Sequence, residues 1–506
     1  MNINDFFKSN SLEKRTLILI ALLGIGIRLL AYHFATTNSS DPITRVWIAW
    51  RWLLNPDIIT YGVWGPLHFY LIAFSIGILR DPIIAPVLLN IFFSVASAIL
   101  LYYFTSNEFH DKTASIIVTV SYIFYPIAVR ESLMPTEIPP FLFFIILSML
   151  FISKARQDQG SWKNALFAGI SLTIAGMLRY EGWMLIPFFG FLLWKRPKLM
   201  FTFLITSLIH PVFWMTGNWI HFGDPLYSFN WASNWNINIE GANENIGIGN
   251  IINRIRFYPT STLSGMTPII AAFCLAGASL SLFRKEKHAI WLIPFLGLLC
   301  LFIFSTVRGS LGFEDKYTVT FGTLLFPFGA EFYKYLKINK LTSKIKFYIL
   351  VLITGSIIFF SYPNMAIPGY NQRHEIKTLS NTINSNLQEP DDAFISDFYG
   401  WGDTHYVALM TRLYPDKIFL APGGLHQKIN LDGLYNFIHS KPAGVILLNR
   451  NSRFANALSF DGLDKVKIGN TFLTLDRIRT MTFGKSEIGI YNYKVKENND
   501  DTALKN

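Results

Sequence analysis

Charge is scarce in this sequence. Asp, Glu, Lys and Arg make up 15% of the 506 residues, where a soluble domain carries about 25%. That deficit excludes an ordinary water-soluble globule over most of the length. Cysteine is nearly absent: Cys274 and Cys300 both lie in apolar runs. They read as small buried hydrophobes, and neither a disulfide framework nor a CxxC metal site is supported. No HExxH, GxSxG or P-loop spacing occurs, and the GxG at Gly24–Gly26 falls inside an apolar run. There is no internal repeat and no low-complexity block. No cleavage site follows the first apolar run, so the N-terminus MNINDFFKSNSLEKR is expected to stay as a cytoplasmic tail.

What is present is apolar and aromatic. Hydrophobic residues reach 51%, aromatic residues 16%, and mean hydropathy is +0.33. Apolar runs near the roughly 20 residues that cross a bilayer as helix begin at about 16–36 and recur at about 83–104, 114–129, 137–153, 164–178, 183–194, 199–215, 267–283, 289–306, 317–333 and 346–362. The expected fold is an all-α polytopic membrane bundle of about eleven transmembrane helices. The net charge of +11 is held in short clusters between these runs. Cytoplasmic flanks explain it better than nucleic acid, and no nucleic-acid partner is expected. Lys112, Lys154, Lys195, Lys198, Lys285, Lys287, Lys334 and Lys344 share one side, which is assigned as inner. Arg45, Arg51, Arg130, Arg179, Arg254, Arg256 and Arg308 fall on the outer side, against that bias. They need a reason of their own.

Composition changes after Pro363. Residues 1–362 form the membrane domain, with interfacial helices at 42–80 and an outer loop at 216–266 rich in Trp, Asn and Gly. Residues 363–495 read as a small α/β soluble domain, and 496–506 as a polar tail. DAFISDF, KIFLAP, PAGVILLNR, TFLTLDRIRTMTF and SEIGIYNYKV are expected strands; HYVALMTRLY and LDGLYNFIHS are expected helices. GWGDTHY and APGGLH are expected loops at strand ends. Eleven crossings place this domain outside the cytoplasm, with the N-terminus inside, in a multi-pass protein of the inner membrane.

The stretch Asn38–Ala73 is too polar to span and too aromatic for a plain connector. In ITRVWIAWRWLL, Ile43, Val46, Trp47, Trp50, Leu53 and Leu54 follow helical spacing with Arg45 and Arg51 outside the stripe, as in a helix lying at headgroup level. Asp41 starts it, beside Pro42. A carboxylate there serves equally as a helix cap or as a reactive group. His68 lies on the next apolar segment, where a lone histidine is more often structural. Arg179 and Glu181 in RYEGW interrupt two apolar runs, as a hairpin-closing ion pair or as a functional pair. Glu131 and Glu137 flank Pro135, and Arg308, Glu314, Asp315 and Lys316 occupy another outer turn. The loop with Asn218, Trp219, His221, Asp224, Trp231 and Trp235 suits sugar recognition and an interfacial belt alike.

Taken together, the Asp in the first outer loop, the helices after it, the bundle and the soluble C-terminal domain resemble the GT-C integral-membrane glycosyltransferases. DPITRVWIAWRWLLNPDIITYGVWGPLHFYLIA, SLMPTEIPPFLFF and MLRYEGWMLIPF look like bacterial dolichyl-phosphate-mannose-mannosyltransferase-like and aminoarabinose-transferase-like proteins. The resemblance implies inverting transfer of a sugar, mannose first among candidates, from a polyprenyl phosphate to the hydroxyl of an extracytoplasmic glycan, lipid or protein acceptor. It implies that Asp41 is the general base. Arg179, then Lys316 and Arg308, would bind the donor phosphate, and Arg45, His68, Glu137 and Glu181 the substrates. The acidic Asp-Glu pair of the protein O-mannosyltransferases is absent, since Pro42 follows Asp41. No cofactor is identified; the lack of DxD in the outer loops leaves a divalent metal open. A lipid or sugar transporter, a flippase, a scaffold, and an oligosaccharide transferase using a pyrophosphate carrier are the competing readings. A transporter calls for internal repeats and broken helices near the midplane, and the sequence displays neither.

Overall fold

The computed structural model describes residues 11–34, 40–157, 161–238, 248–338, 374–387, 389–397, 401–421, 430–449, 452–458, 465–468, 471–483 and 486–496. The chain divides into two compact units. The first comprises Met1–Ala35, Ile58–Tyr70 and Val87–Pro368; the second comprises Thr36–Asp57, Leu71–Pro86 and Gly369–Asn506.

The first unit is helical, because its long apolar runs leave the backbone no partner in lipid except itself. Among the described residues five helices are long and apolar enough to cross a membrane, or seven if each of two bent pairs counts as one span. The Ile138–Gln157 helix is buried along 78% of its apolar window and the Glu13–Tyr32 span along 22%. One is therefore central and the other peripheral. The expected crossing at 346–362 lies outside the described residues. Elsewhere proline interrupts what the sequence presents as continuous. The expected run at 317–333 is split into Thr318–Leu325, a 3-10 turn Phe326–Phe328 around Pro327, and Gly329–Ile338. Residues 216–266, expected as a loop, are built largely of the helices Tyr227–Asn238 and Ile248–Gly265.

The two bent pairs differ from the unbroken runs expected of the sequence. Gly249–Gly265 meets Pro268–Phe283 at 107°, and Lys112–Ile123 meets Pro126–Ser132 at 58°. The second break is stabilised by a cation. Arg28, 0% exposed, donates from Nη1 to the Ile123 carbonyl at 3.4 Å and the Gly24 carbonyl at 3.1 Å. Its Nε and Nη2 both reach Ser94 Oγ, at 3.1 and 2.8 Å. A guanidinium at the carbonyl end of a helix meets the negative pole of the helix dipole. The break then redirects the chain into the segment that carries Arg130 and Glu131.

The second unit holds a six-stranded sheet of order β2-β1-β3-β6-β5-β4. β1 (Ala393–Ser396) pairs in parallel with β2 (Ile418–Leu420) and β3 (Ala443–Asn449). β6 (Ser486–Lys496) runs antiparallel to β3 and to β5 (Thr471–Phe483), and β4 (Lys465–Ile468) closes the edge. β1 is wholly buried and β3 nearly so, which is why both read as unbroken apolar runs. Ile395, Ile446, Leu434, Ile438 and Tyr493 lie in its core. β1, β2, β3, β5 and β6 fall where the sequence places them; the edge strand β4 was not expected. GWGDTHY departs from expectation: the described residues from Trp401 onward form the Trp401–Met410 helix, while most of APGGLH lies outside the described residues.

An early segment belongs to this unit as well. The Ser40–Trp52 helix packs on the Trp401–Met410 helix. Trp47 and Trp50, expected at headgroup level, are 6% and 4% exposed. Their rings meet His405 and Tyr414. Protein contact has taken the place of the lipid headgroups because the partner lies far along the chain. Arg412 pairs with Asp81 at 3.2 Å within the same unit.

Candidate active site

Three turns of the first unit converge on an ionic network that is buried around Arg130 and Arg179 and half-exposed at Glu314, Asp315 and Lys316. The first is the break around Pro126–Ser132 and Ile138, the second the Arg179–Glu181 turn, the third the 3-10 turn Asp315–Tyr317. Arg179 is 8% exposed. Its Nε and Nη2 donate to Glu181 Oε1 at 3.0 and 2.6 Å, and its Nη1 to Glu137. The guanidinium lies 4.8 Å from the Tyr317 ring, within cation–π range. Arg130 grips Asp315 with two bonds of 2.8 and 2.9 Å, and Glu131 Oε1 with two of 3.1 and 2.9 Å. Lys316 pairs with Glu314.

This arrangement is short of positive charge. Arg130, Arg179 and Lys316 face Glu131, Glu137, Glu181, Glu314 and Asp315. Fully ionised, the network would be doubly negative. Burial opposes the charge on Lys316, but Glu314, Tyr317 and Glu137 hold its pKa above the ordinary lysine value. Burial likewise opposes the Asp315 carboxylate, and Arg130 and Lys316 keep its pKa below the usual range. Glu131 Oε2 is buried with no hydrogen-bond partner among the described residues.

A strap of chain locks against the same region. Tyr180 donates to the Val63 carbonyl at 2.7 Å, and the Leu67 amide to the Met177 carbonyl at 3.3 Å. Asn218 Oδ1 accepts from the Gly62 amide at 2.9 Å, and Ser228 donates to the Gly62 carbonyl at 2.6 Å. Trp214 Nε1 reaches both the Tyr180 and Ser228 hydroxyls, at 3.2 and 3.1 Å. Two glycines allow this approach. A Cβ on Gly65 would sit 2.2 Å from the Met177 carbonyl oxygen, and one on Gly217 1.9 Å from that of Thr60.

Of the residues singled out by sequence, the structure brings Arg179, Glu137, Glu181 and Lys316 into one network. Arg308 is exposed over the Phe304 ring at 5.5 Å, with no carboxylate partner among the described residues. His68 is buried at the start of the Leu67–Leu79 helix. Asp41 and Arg45 belong to the second unit. Asp41 is half-buried, and among the described residues no hydrogen bond or ion pair engages its carboxylate. Arg179 thus meets two carboxylates where a phosphate was expected, so a phosphate would have to compete for donors already in use. Arg130, Glu131, Asp315 and Tyr317 join the network without having been assigned a site role. An Arg-Glu pair inside an apolar run was the available signal for the first two. Among the described residues no three His, Cys, Asp or Glu side chains are placed to hold a metal ion.

Residues 63–216 match the family described as dolichyl-phosphate-mannose-protein mannosyltransferase. That stretch contains Val63, Gly65 and Leu67 of the strap, Arg130, Glu131, Glu137 and the Arg179–Glu181 turn. No curated protein sequence matches the chain. Among solved structures, ArnT from Cupriavidus metallidurans bound to undecaprenyl phosphate is similar with a TM-score of 0.60 at 9% identity, over 94% of this chain and 97% of that one. The Archaeoglobus fulgidus oligosaccharyltransferase tethered to an acceptor peptide gives 0.51 at 12% identity, over 88% of this chain and 70% of that one. With helical bundle, terminal sheet and family match in agreement, this chain has the GT-C fold of integral-membrane glycosyltransferases.

Proposed function

We infer that the protein transfers a sugar from a polyprenyl-phosphate carrier to the hydroxyl of an extracytoplasmic acceptor, with inversion at the anomeric carbon. The observation that carries this reading is the contrast among its carboxylates. Glu131, Glu137, Glu181, Glu314 and Asp315 are each paired with a cation. Among the described residues no cation and no hydrogen bond engages Asp41, which leaves that carboxylate as the candidate base. A general base of this kind contributes about 10²–10⁴-fold. The leaving phosphate develops charge that a cation must meet. Arg308, exposed and with no carboxylate partner among the described residues, is the first candidate and Lys316 the second. Arg179 is assigned to holding the turn together, with Glu137 and Glu181 as its clamps; Arg45 and His68 stay as substrate contacts. ArnT, one of the similar structures, was solved with undecaprenyl phosphate, and a carrier of that chemistry is proposed here. The N-terminus is placed in the cytoplasm and the C-terminal domain outside.

The two bent helix pairs favour a second reading, a lipid or sugar carrier, because broken helices line transporter sites. One experiment separates them. Purified protein in nanodiscs is given a panel of polyprenyl-phosphate sugars, mannose first, with and without crude envelope acceptor. The readout is released polyprenyl phosphate, for wild type and for Asp41→Asn. Release that falls about 100-fold or more in Asp41→Asn, with donor still bound, establishes the transferase and its base. Unchanged release keeps the enzyme and removes Asp41. No release from any donor, alongside sugar-lipid movement across proteoliposomes, establishes the carrier.

A further inference from the structure

The Ser40–Trp52 helix has 13 residues, and isolated helices shorter than about 12–15 residues are marginal. Its position must come from packing. The packing partner is the Trp401–Met410 helix of the C-terminal domain, within the same unit. Thr44 is 3% exposed, so its hydroxyl needs a protein partner. That partner is His405, whose Nδ1 lies 3.1 Å from Thr44 Oγ1 across a separation of 361 residues. The same imidazole stacks on Trp47, with centroids 6.0 Å apart and planes 28° from parallel. One turn further on, Trp50 meets Tyr414 at 6.4 Å. Asp41 stands three residues before Thr44, where side chains on a helix are surface neighbours.

We propose that His405 is a positioning residue for Asp41: its bond to Thr44 fixes the first turn of the helix that carries the base, which makes the C-terminal domain part of the catalytic apparatus. This rests on the assignment of Asp41 above. The bond and the ring stack are separable. His405→Asn can keep a hydrogen bond to Thr44 and loses the ring. His405→Phe keeps the ring and loses the bond. Thr44→Val removes the hydroxyl from the other side at nearly constant shape. If positioning is the role, loss of the bond shifts the base, and a displacement of about 1 Å can cost on the order of 100-fold in rate.

The test uses full-length protein in nanodiscs, with kcat and donor KM normalised to folded protein. His405→Phe and Thr44→Val are each expected to lower kcat by about 10-fold or more with donor KM unchanged. His405→Asn stays within about threefold of wild type, and the Thr44→Val/His405→Phe double variant is no worse than either single one. His405→Phe at the wild-type rate, or His405→Asn the worse of the two, overturns the proposal, because the ring then acts by packing alone. Undiminished turnover in Asp41→Asn removes the base and this inference together. Loss in Asp41→Asn with His405→Phe unaffected removes this inference alone. If wild type releases nothing from any donor, hydrogen exchange over residues 43–52 decides: faster exchange in both bond-breaking variants supports the coupling, and no change overturns it.

Discussion

Removing Arg179 should be far more damaging than removing either of its partners. Arg179 faces Glu137 and Glu181, and all three are buried. Arg179→Met leaves two carboxylates converging on an apolar side chain. Both bond one guanidinium, which sets them roughly 5 Å apart; at an effective dielectric near 20 their repulsion is about 3 kcal/mol. Stranding buried charge typically costs about 3–5 kcal/mol. Glu137→Gln, in contrast, leaves Arg179 one-to-one with Glu181, keeps both bonds to it, and retains an amide oxygen to accept from Nη1. Its cost is expected to stay near 1 kcal/mol. The assay is the thermal midpoint of full-length protein in one nanodisc composition. Arg179→Met should fall by several degrees and Glu137→Gln by far less. Equal losses in the two variants would refute the charge account of the network.

Other outcomes follow from single contacts. Gly65→Ala drives a methyl toward the Met177 carbonyl, 2.2 Å away; a loss of about 1–3 kcal/mol is expected, against none for Gly77→Ala, which meets no atom within 4 Å. Thermal midpoints of the two variants check this. Asp397, at the end of β1, is buried; burial pushes its pKa up to about 7 although the Ser452 hydroxyl and the Asn449 amide both donate to it. The folded state therefore binds its proton more tightly than the unfolded chain does, and the domain loses stability as pH rises from about 4 to about 7, by up to about 4 kcal/mol. Hydrogen exchange of β1 and β3 amides in the full chain, corrected for intrinsic rates, should follow that slope, and Asp397→Asn should flatten it.

Much of this was readable in the sequence because it rests on local pattern. Apolar runs gave the bundle, and the alternation of strands and helices gave the sheet, since side-chain period and burial act within a few residues. The Arg179–Glu181 pair was offered by the sequence as a hairpin-closing ion pair, but the long-range partner choices were not readable. Arg179 finds Glu137 42 residues away and Arg130 finds Asp315 185 residues away, and no periodicity connects such turns. Trp47 and Trp50 illustrate the same limit. A tryptophan stripe beside arginine has one local pattern whether it meets lipid or a distant helix. The breaks at Pro126 and Pro268 stood in the sequence as prolines, but the 58° and 107° bends depend on what receives the freed carbonyls, as Arg28 does for Ile123.

The membership of the Ser40–Trp52 helix in the unit completed by Gly369–Asn506 also sets an order of events during synthesis. His405 leaves the ribosome 361 residues after Thr44. At about 5–20 residues per second, that is a wait of roughly 20–70 s. Throughout it the tryptophan face of the early helix lacks its His405 and Tyr414 partners. The segment bearing Asp41 is thus among the first made and among the last to reach its final packing. A chain stopped before residue 401 would contain every membrane helix described here and still leave that face open to chaperones or to the wrong surface.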